Sequence, residues 1–207
     1  MSLTFAQEMF FRDGTRLSDL IDADLYQQAE TLLGRYGIPP AAVQSLKPWA
    51  AFMTLNMPPD TGLPLDLVLK SRAREHGLDI DGLESIAEQA AVFENLSRET
   101  QIALLTDSIC HYEVLQGDMV DMKELYMERD LEGLFSYHNR YHLQTNEQYK
   151  QLMKRLLWDR NEIMAERMQP ILKQGRAFIA IGAMHLAGEQ GVLSLLENSG
   201  YQVKAVY

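Results

Sequence analysis

The C-terminal stretch Arg176–Tyr207 limits the fold of this chain more than any other part of its sequence. It opens with a short apolar run, Ala177–Ile181, which is typical of a buried strand. A glycine-rich polar turn follows, and then an apolar repeat at helical spacing that ends at Gly200. Gln202–Tyr207 alternates polar and apolar side chains as a second strand would. The stretch therefore predicts strand, turn, helix and strand.

Helical spacing dominates the rest of the sequence. Side chains that can cap a helix predict helix starts at Asp22 or Asp24, at Ser97 and at Asn146, and Pro170 is expected to kink or restart the last long helix. One more strand is predicted, at about 78–83, beside those at about 176–182 and 202–207. We therefore predict an α/β (α+β) fold, with one helix-rich domain over residues 1–207 built around a small mixed sheet. Three strands make a thin sheet for so many helices. For this reason we expect the domain to be incomplete at its N-terminus, with strands missing before Met1.

Charge and composition exclude several classes of function. The formal net charge of the 207 residues is −10, which argues against nucleic acid and anionic membranes as partners. No apolar run is long enough to cross a membrane. The first residues, Met1–Phe5, lack the basic and apolar regions of a signal peptide. A single cysteine, Cys110, excludes an internal disulfide.

Two polar residues follow predicted strands, where α/β sheets usually bind ligands. His185 lies just past the strand at 176–182, and Glu84 ends the strand at 78–83. Ser85 and Glu88 form a capping-box pattern that starts the next helix. Because Ser85 already caps that helix, Glu84 is left to point above the sheet.

Arg160 is a third candidate, because it falls within an apolar stripe of the helix predicted over Glu147–Lys173. A guanidinium there needs a partner, and Asn161 is its neighbour. Glu84, Arg160 and His185 can face one cleft, which would suit a metal site or acid–base chemistry. Each also has a simpler interpretation: His185 can bond to backbone, and Glu84 and Arg160 can form a structural ion pair. Two protein ligands are also fewer than a catalytic zinc usually has.

Other histidines give weaker signals. His138 and His142 are spaced i, i+4, as helical metal ligands are, but no HExxH pattern surrounds them, so we expect surface or packing roles. Cys110 and His111 are adjacent on a predicted helix and point to different sides, which argues against a nucleophile and its base. The Walker, GxSxG and GxGxxG patterns are absent from the sequence.

Several motifs in order resemble the TraB/PrgY/GumN family over nearly the whole chain. They are FRDGTRLSDLID, LKPWAAFMTLN, GLDIDGLESIAEQAAVFENLS, LLWDRNEIMAERM and AFIAIGAMHLAGEQGVLSLLENSGYQVKAV. The most specific pieces are the GxxH at Gly182–His185, the Gly-Leu-Glu at 82–84 and the Asp-Arg-Asn at 159–161. The resemblance implies a fold related to ChaN and erythromycin-esterase-like proteins, and kinship with the Tiki metalloproteases.

The resemblance also implies a candidate reaction and location. In the wider group two GxxH motifs, a glutamate and an arginine are thought to build a metal-dependent hydrolytic site. If these roles are transferred to this sequence, His185 would bind a divalent metal and Glu84 would be a ligand or general base. Arg160 would orient Glu84 or stabilise negative charge, and Asn161 would support these residues. The first GxxH is absent from this sequence. The family's usual location is the periplasm or cell envelope, while the chain itself leaves a cytoplasmic location open.

Two functions from different classes follow. The first is a metal-dependent hydrolase, and more narrowly a peptidase, acting on a peptide or small-molecule substrate. The alternative is a non-catalytic protein that binds a peptide or small ligand on the same scaffold. If central strands are missing, this chain is expected to be inactive. An open sheet edge would also favour a homodimer or strand exchange.

Overall fold

The described part of the chain is built from helices. A computed structural model of the chain describes residues 3–60, 62–137 and 147–206. The α-helices are α1 Leu3–Glu8, α2 Ala23–Gly34, α3 Pro40–Val43, α4 Pro48–Leu55, α5 Leu65–Glu75, α6 Ile86–Glu94, α7 Arg98–Cys110, α8 Tyr112–Glu128, α9 Leu131–Tyr137, α10 Glu147–Met153, α11 Asp159–Gln174 and α12 Val192–Asn198. Short 3-10 turns occupy Leu17–Asp19 and Ala183–His185, and a π-helical turn occupies Lys154–Trp158.

The predicted helix starts are confirmed where a polar side chain caps them. Asp22 accepts a hydrogen bond from the Leu25 amide at the start of α2. Ser85 and Glu88 form the predicted capping box of α6, and Ser97 caps α7. These caps satisfy amides that have no partner inside the helix, so the helices begin where the sequence provides an oxygen. The predicted cap at Asn146 lies outside the described residues.

The predicted α/β fold around a mixed sheet is wrong. Within the described ranges no residue belongs to a strand, and the one ladder-like contact is an isolated bridge between Phe10 and Leu46. The stretches predicted as strands, 78–83, 176–182 and 202–206, run without helix and without a strand partner. Alternating side chains favour an extended backbone, but a strand also needs a neighbour to take its hydrogen bonds.

The described chain divides into two compact units. The first comprises Met1–Gly77 and Ser85–Val120. Its core surrounds Trp49, whose side chain is 1% exposed and stacks on Phe93 with ring centroids 5.5 Å apart. Glu94 accepts a hydrogen bond of 2.9 Å from the indole N–H of Trp49, so the buried indole keeps a polar partner.

The second unit comprises Leu78–Glu84 and Asp121–Tyr207, and it carries the predicted site. Its core is formed by Met164 and Met168 of α11 and Val192 of α12. The extended stretches are anchored on this core through partly buried side chains, namely Leu83, Ile179 and Ile181. The apolar stripe predicted from helical spacing therefore packs as expected through its two buried methionines.

The long helix that carries Arg160 is continuous but not uniform. α10, the π-helical turn Lys154–Trp158 and α11 follow one another without a break. A kink or a restart was predicted at Pro170, and the helix does not restart there, because α11 runs through that residue. The π-helical turn immediately precedes Arg160 and Asn161; π-turns are frequent at functional sites, where they change the direction of the side chains that follow.

Candidate functional site

Glu84 and Arg160 form a two-bond ion pair. Nε of Arg160 donates to Oε1 of Glu84, and Nη2 donates to Oε2, each at 2.7 Å. The side chain of Glu84 is 8% exposed and that of Arg160 is 21% exposed. A planar guanidinium and a carboxylate joined in this way are held in a fixed relative orientation. The ion pair that the sequence offered as the simpler interpretation is therefore present.

His185 and Asn161 form a second, more buried pair. His185 is 9% exposed and Asn161 is 2% exposed. The amide Nδ2 of Asn161 donates to the carbonyl oxygen of Gln190 at 2.8 Å. Its Oδ1 is therefore turned to Nδ1 of His185, 2.6 Å away, and accepts the imidazole proton. This leaves Nε2 of His185 as the nitrogen with the lone pair.

The Nε2 atom of His185 is not completely enclosed by the protein. Among the described residues every fully buried side-chain nitrogen or oxygen has a hydrogen-bond partner. His185 makes its side-chain hydrogen bond through Nδ1 and has no other partner in this part of the chain. Nε2 must therefore reach the surface, where a lone pair can accept a proton or bind a ligand.

The surroundings keep His185 neutral. Burial, and next the positive charge of Arg160, lower the pKa of His185 from 6.5 to about 4, while Glu84 opposes the change. Both partners of the ion pair therefore act electrostatically on the imidazole. A neutral imidazole is the form that binds metals or accepts a proton.

Arg160 keeps donors available for a ligand. Besides its two bonds to Glu84, Nη1 donates to the Leu156 carbonyl oxygen at 2.9 Å. A guanidinium has five N–H groups, so two N–H groups of Arg160 have no protein partner within the described residues. Beside a neutral imidazole they can bind a carbonyl or carboxylate oxygen.

Two glycines shape the turn that carries His185. Gly188 has a φ of +85°, and a Cβ on it would lie 2.8 Å from Cζ of Phe135 in α9. A Cβ on Gly191 would lie 2.3 Å from the carbonyl oxygen of Ala187. Both close approaches require glycine. The glycine-rich sequence after His185 is therefore explained by tight packing.

Sequence analysis missed two supporting groups. Arg167 donates to the carbonyl oxygen of Leu83 at 2.6 Å and so fixes the backbone that presents Glu84. The carbonyl of Gln190 orients Asn161. Arg167 could have been found, because it follows Arg160 by two helical turns and so lies on the same side of α11. No side-chain signal points to a backbone carbonyl such as that of Gln190.

The described donors do not fit a catalytic metal on their own. Such a site usually has three protein ligands, and the described residues contain no group of three or more His, Cys, Asp or Glu side chains that could hold an ion. Both carboxylate oxygens of Glu84 accept bonds from Arg160. His185 thus offers one ligand, and His138 and His142 lie outside the described residues.

Comparison with known proteins defines the family. The model of the TraB/PrgY/gumN family matches residues 1–205, so the chain belongs to that family. It is 26% identical over 166 residues to a protein of Danio rerio named metalloprotease TIKI2, a match that covers 68% of this chain and 32% of that protein. The match thus spans about a third of the relative's length. No solved structure matches the chain significantly, and none of the described helices is both long and apolar enough to span a membrane.

Proposed function

We propose that the chain contributes a hydrolytic site that acts on peptide bonds, with His185 at its centre. The observation that carries this is the Asn161–His185 pair, which engages Nδ1 and leaves the Nε2 lone pair of a neutral imidazole without a partner, within the electrostatic influence of Arg160. The family match and the named activity of the TIKI2 relative support the same class of reaction.

His185 and Arg160 would divide the chemistry between them. Nε2 of His185 would accept the proton of an attacking water, while Nδ1 stays bonded to Asn161, and would return that proton to the leaving amine as the peptide C–N bond breaks. The two remaining N–H groups of Arg160 would donate to the carbonyl oxygen as it becomes negative. Glu84 would position Arg160 through its two hydrogen bonds. Without a described three-ligand set we assign no step to a metal, although neutral His185 is suited to bind one.

The test is peptide hydrolysis by the purified protein with a library of quenched fluorescent peptides. His185→Ala should lower kcat/KM by about 100-fold or more, as for loss of a general base. His111→Ala is the matched control: His111 lies in the first unit, where it pairs with Asp107, and its loss should leave kcat/KM unchanged. Equal kcat/KM in His185→Ala and the native protein would refute the role of His185.

Metal content should be measured on the same samples. If the native protein contains metal and the His185→Ala protein does not, His185 belongs to a metal site. Groups beyond the described residues would then complete that site. Equal metal content in both would remove His185 as a ligand. Activity that survives a chelator would favour hydrolysis by His185 and Arg160 without a metal.

A non-catalytic role in binding a peptide or small ligand is the second candidate. It is favoured by one observation, namely that both oxygens of Glu84 are already bonded to Arg160. A carboxylate engaged in this way is a poor general base. Binding of peptides by the native protein without any turnover would favour this function over hydrolysis.

We also propose the periplasm or cell envelope as its location, since that is usual in the family. Fractionation of cells that express the whole protein tests this. Recovery of the protein with cytoplasmic markers would contradict it.

A further inference from the structure

The stretch that leads to His185 has the form of a single strand without a neighbouring strand among the described residues. Residues 176–182 contain no helix, turn or bend. Ile179 and Ile181 pack on the core of the second unit, whereas Ala180 is exposed and Phe178 is 81% exposed. One side of the stretch is thus anchored and the other is open, with the period of two typical of a strand.

The backbone of this stretch carries a row of unused hydrogen-bonding groups. The amides and carbonyls of residues 177–181 make no hydrogen bond within the described part of the chain. Such a row is the template on which an extended polypeptide adds as a further strand. The row ends at Gly182, three residues before His185, so a strand paired along it would run towards the Nε2 atom.

Charge at the beginning of the stretch indicates what kind of peptide fits. Lys173 and Arg176 are exposed and have no ionic partner in the described residues. At the other end, Arg160 retains two unused N–H groups. The charge of Arg160 is balanced by Glu84, so its N–H groups offer hydrogen bonds, whereas Lys173 and Arg176 place two exposed positive charges at the beginning of the stretch that are complementary to carboxylates on a peptide.

We propose that residues 176–182 bind an acidic peptide in extended conformation by strand addition and so direct it to His185. The proposal rests on the proposed hydrolytic function and names its substrate class as an extended acidic polypeptide segment. Backbone hydrogen bonds would provide affinity, and Lys173 and Arg176 would select carboxylates at one end.

The test is fluorescence anisotropy of labelled peptides with the His185→Ala variant, in which binding is measured without turnover. A short acidic peptide should bind, and added salt should weaken its binding. The same peptide N-methylated at alternate residues should bind about tenfold more weakly or worse, because it loses several hydrogen bonds. A basic peptide of equal length should also bind more weakly.

A matched pair of protein variants checks the position. Ala180→Pro removes an amide from the stretch and should weaken binding of the acidic peptide about tenfold. Ala205→Pro makes the same change at an exposed residue of the stretch 202–206, whose amides are likewise unbonded, and should have no effect. If Ala180→Pro fails to fold, the N-methylated peptide still decides the question.

Each outcome separates this proposal from the function. Equal affinity for methylated and unmethylated peptides would overturn strand addition, even if the native protein hydrolyses peptides. If N-methylation weakens binding but the native protein hydrolyses no peptide, the hydrolytic function is refuted and strand addition is still supported. A dimer in light scattering that Ala180→Pro dissociates would show that a second copy occupies the stretch, and would overturn the proposal.

Discussion

At the scale of single residues, Asn161 decides the chemical state of the site. Its amide is oriented by the Gln190 carbonyl, and its oxygen then dictates which nitrogen of His185 carries the proton. A buried amide with both ends bonded cannot rotate without losing a hydrogen bond. The direction of the His185 lone pair is therefore set by a backbone carbonyl 29 residues away from Asn161 in sequence.

The low pKa of His185 predicts that stability falls in mild acid. Because its pKa is about 4 in the folded protein and 6.5 ordinarily, the unfolded state binds a proton that the folded state does not. The contribution is complete above about pH 6.5 and declines as the pH falls towards about 4, with a loss of roughly 1–2 kcal/mol near pH 5.

Urea unfolding across this pH range provides the measurement. His185→Gln should show a smaller decline in the free energy of unfolding than the native protein, whereas His111→Gln should decline in parallel with it. Identical pH profiles for the native protein and His185→Gln would mean that His185 titrates normally in the folded state.

The Glu84–Arg160 pair predicts a cost that depends on burial. Glu84→Gln would leave a guanidinium that is only 21% exposed without its counter-charge, and should reduce the free energy of unfolding by about 2–4 kcal/mol. Glu113→Gln is the control, because the side chains of Glu113 and Arg35 in its ion pair are 77% and 50% exposed, so the loss of free energy of unfolding should be clearly smaller. Equal losses in urea unfolding would contradict the buried pair.

At the scale of elements, the turn after His185 is held by its contact with α9. A Cβ at Gly188 would overlap the ring of Phe135. The backbone there also has a positive φ, which strains any residue with a side chain. Gly188→Ala should therefore reduce the free energy of unfolding by about 2–4 kcal/mol. Gly200→Ala has a similar φ of +92° but nothing within 4 Å, so it should cost only about 1 kcal/mol of backbone strain.

The two alanine variants separate packing from backbone strain. Chemical denaturation of each gives the difference between them. Combining Gly188→Ala with Phe135→Leu should recover part of the loss, since the smaller side chain makes room. If the two glycine variants lose the same free energy, the Phe135 contact does not hold the turn.

The stretch 176–182 predicts rapid amide exchange. Its amides make no hydrogen bond in the described part of the chain, so hydrogen–deuterium exchange at residues 177–181 should be fast, while the amides near Met164 and Met168 in α11 should be slow. Slow exchange at 177–181 in the protein alone would reveal a strand partner and restore the predicted sheet.

At the scale of the whole molecule, the net charge predicts how solubility depends on pH. The net charge is −10 at pH 7, and the sequence pI is about 4.9. The mutual repulsion that keeps copies apart should vanish near the pI, so turbidity at low salt should be greatest around pH 4.9 and clear on return to neutral pH. A solution that stays clear through that pH would show that other forces keep the copies apart.

The elements were predictable where the signal is local. Helix starts could be predicted at Asp22, Ser85 and Ser97, because each cap is a hydrogen bond to an amide only three residues further along the chain. The helix around Met164 and Met168 was predictable from spacing alone. The sheet was not, because the apolar run at 177–181 and the alternation at 202–207 favour an extended backbone and say nothing about a partner distant in sequence. In the described residues that partner is absent, and the prediction failed.

The sequence by itself determined which residues form the candidate site, and only the tertiary structure decided how they pair and how far they are buried. Glu84, Arg160, Asn161 and His185 could be chosen from residue type and position, since a cation in an apolar stripe and a histidine beyond an apolar run both need an explanation. Their pairing depended on contacts across 76 residues between Glu84 and Arg160 and across 24 between Asn161 and His185. Burial then lowered the pKa of His185. Both burial and long-range pairing arise from packing, which no local pattern encodes.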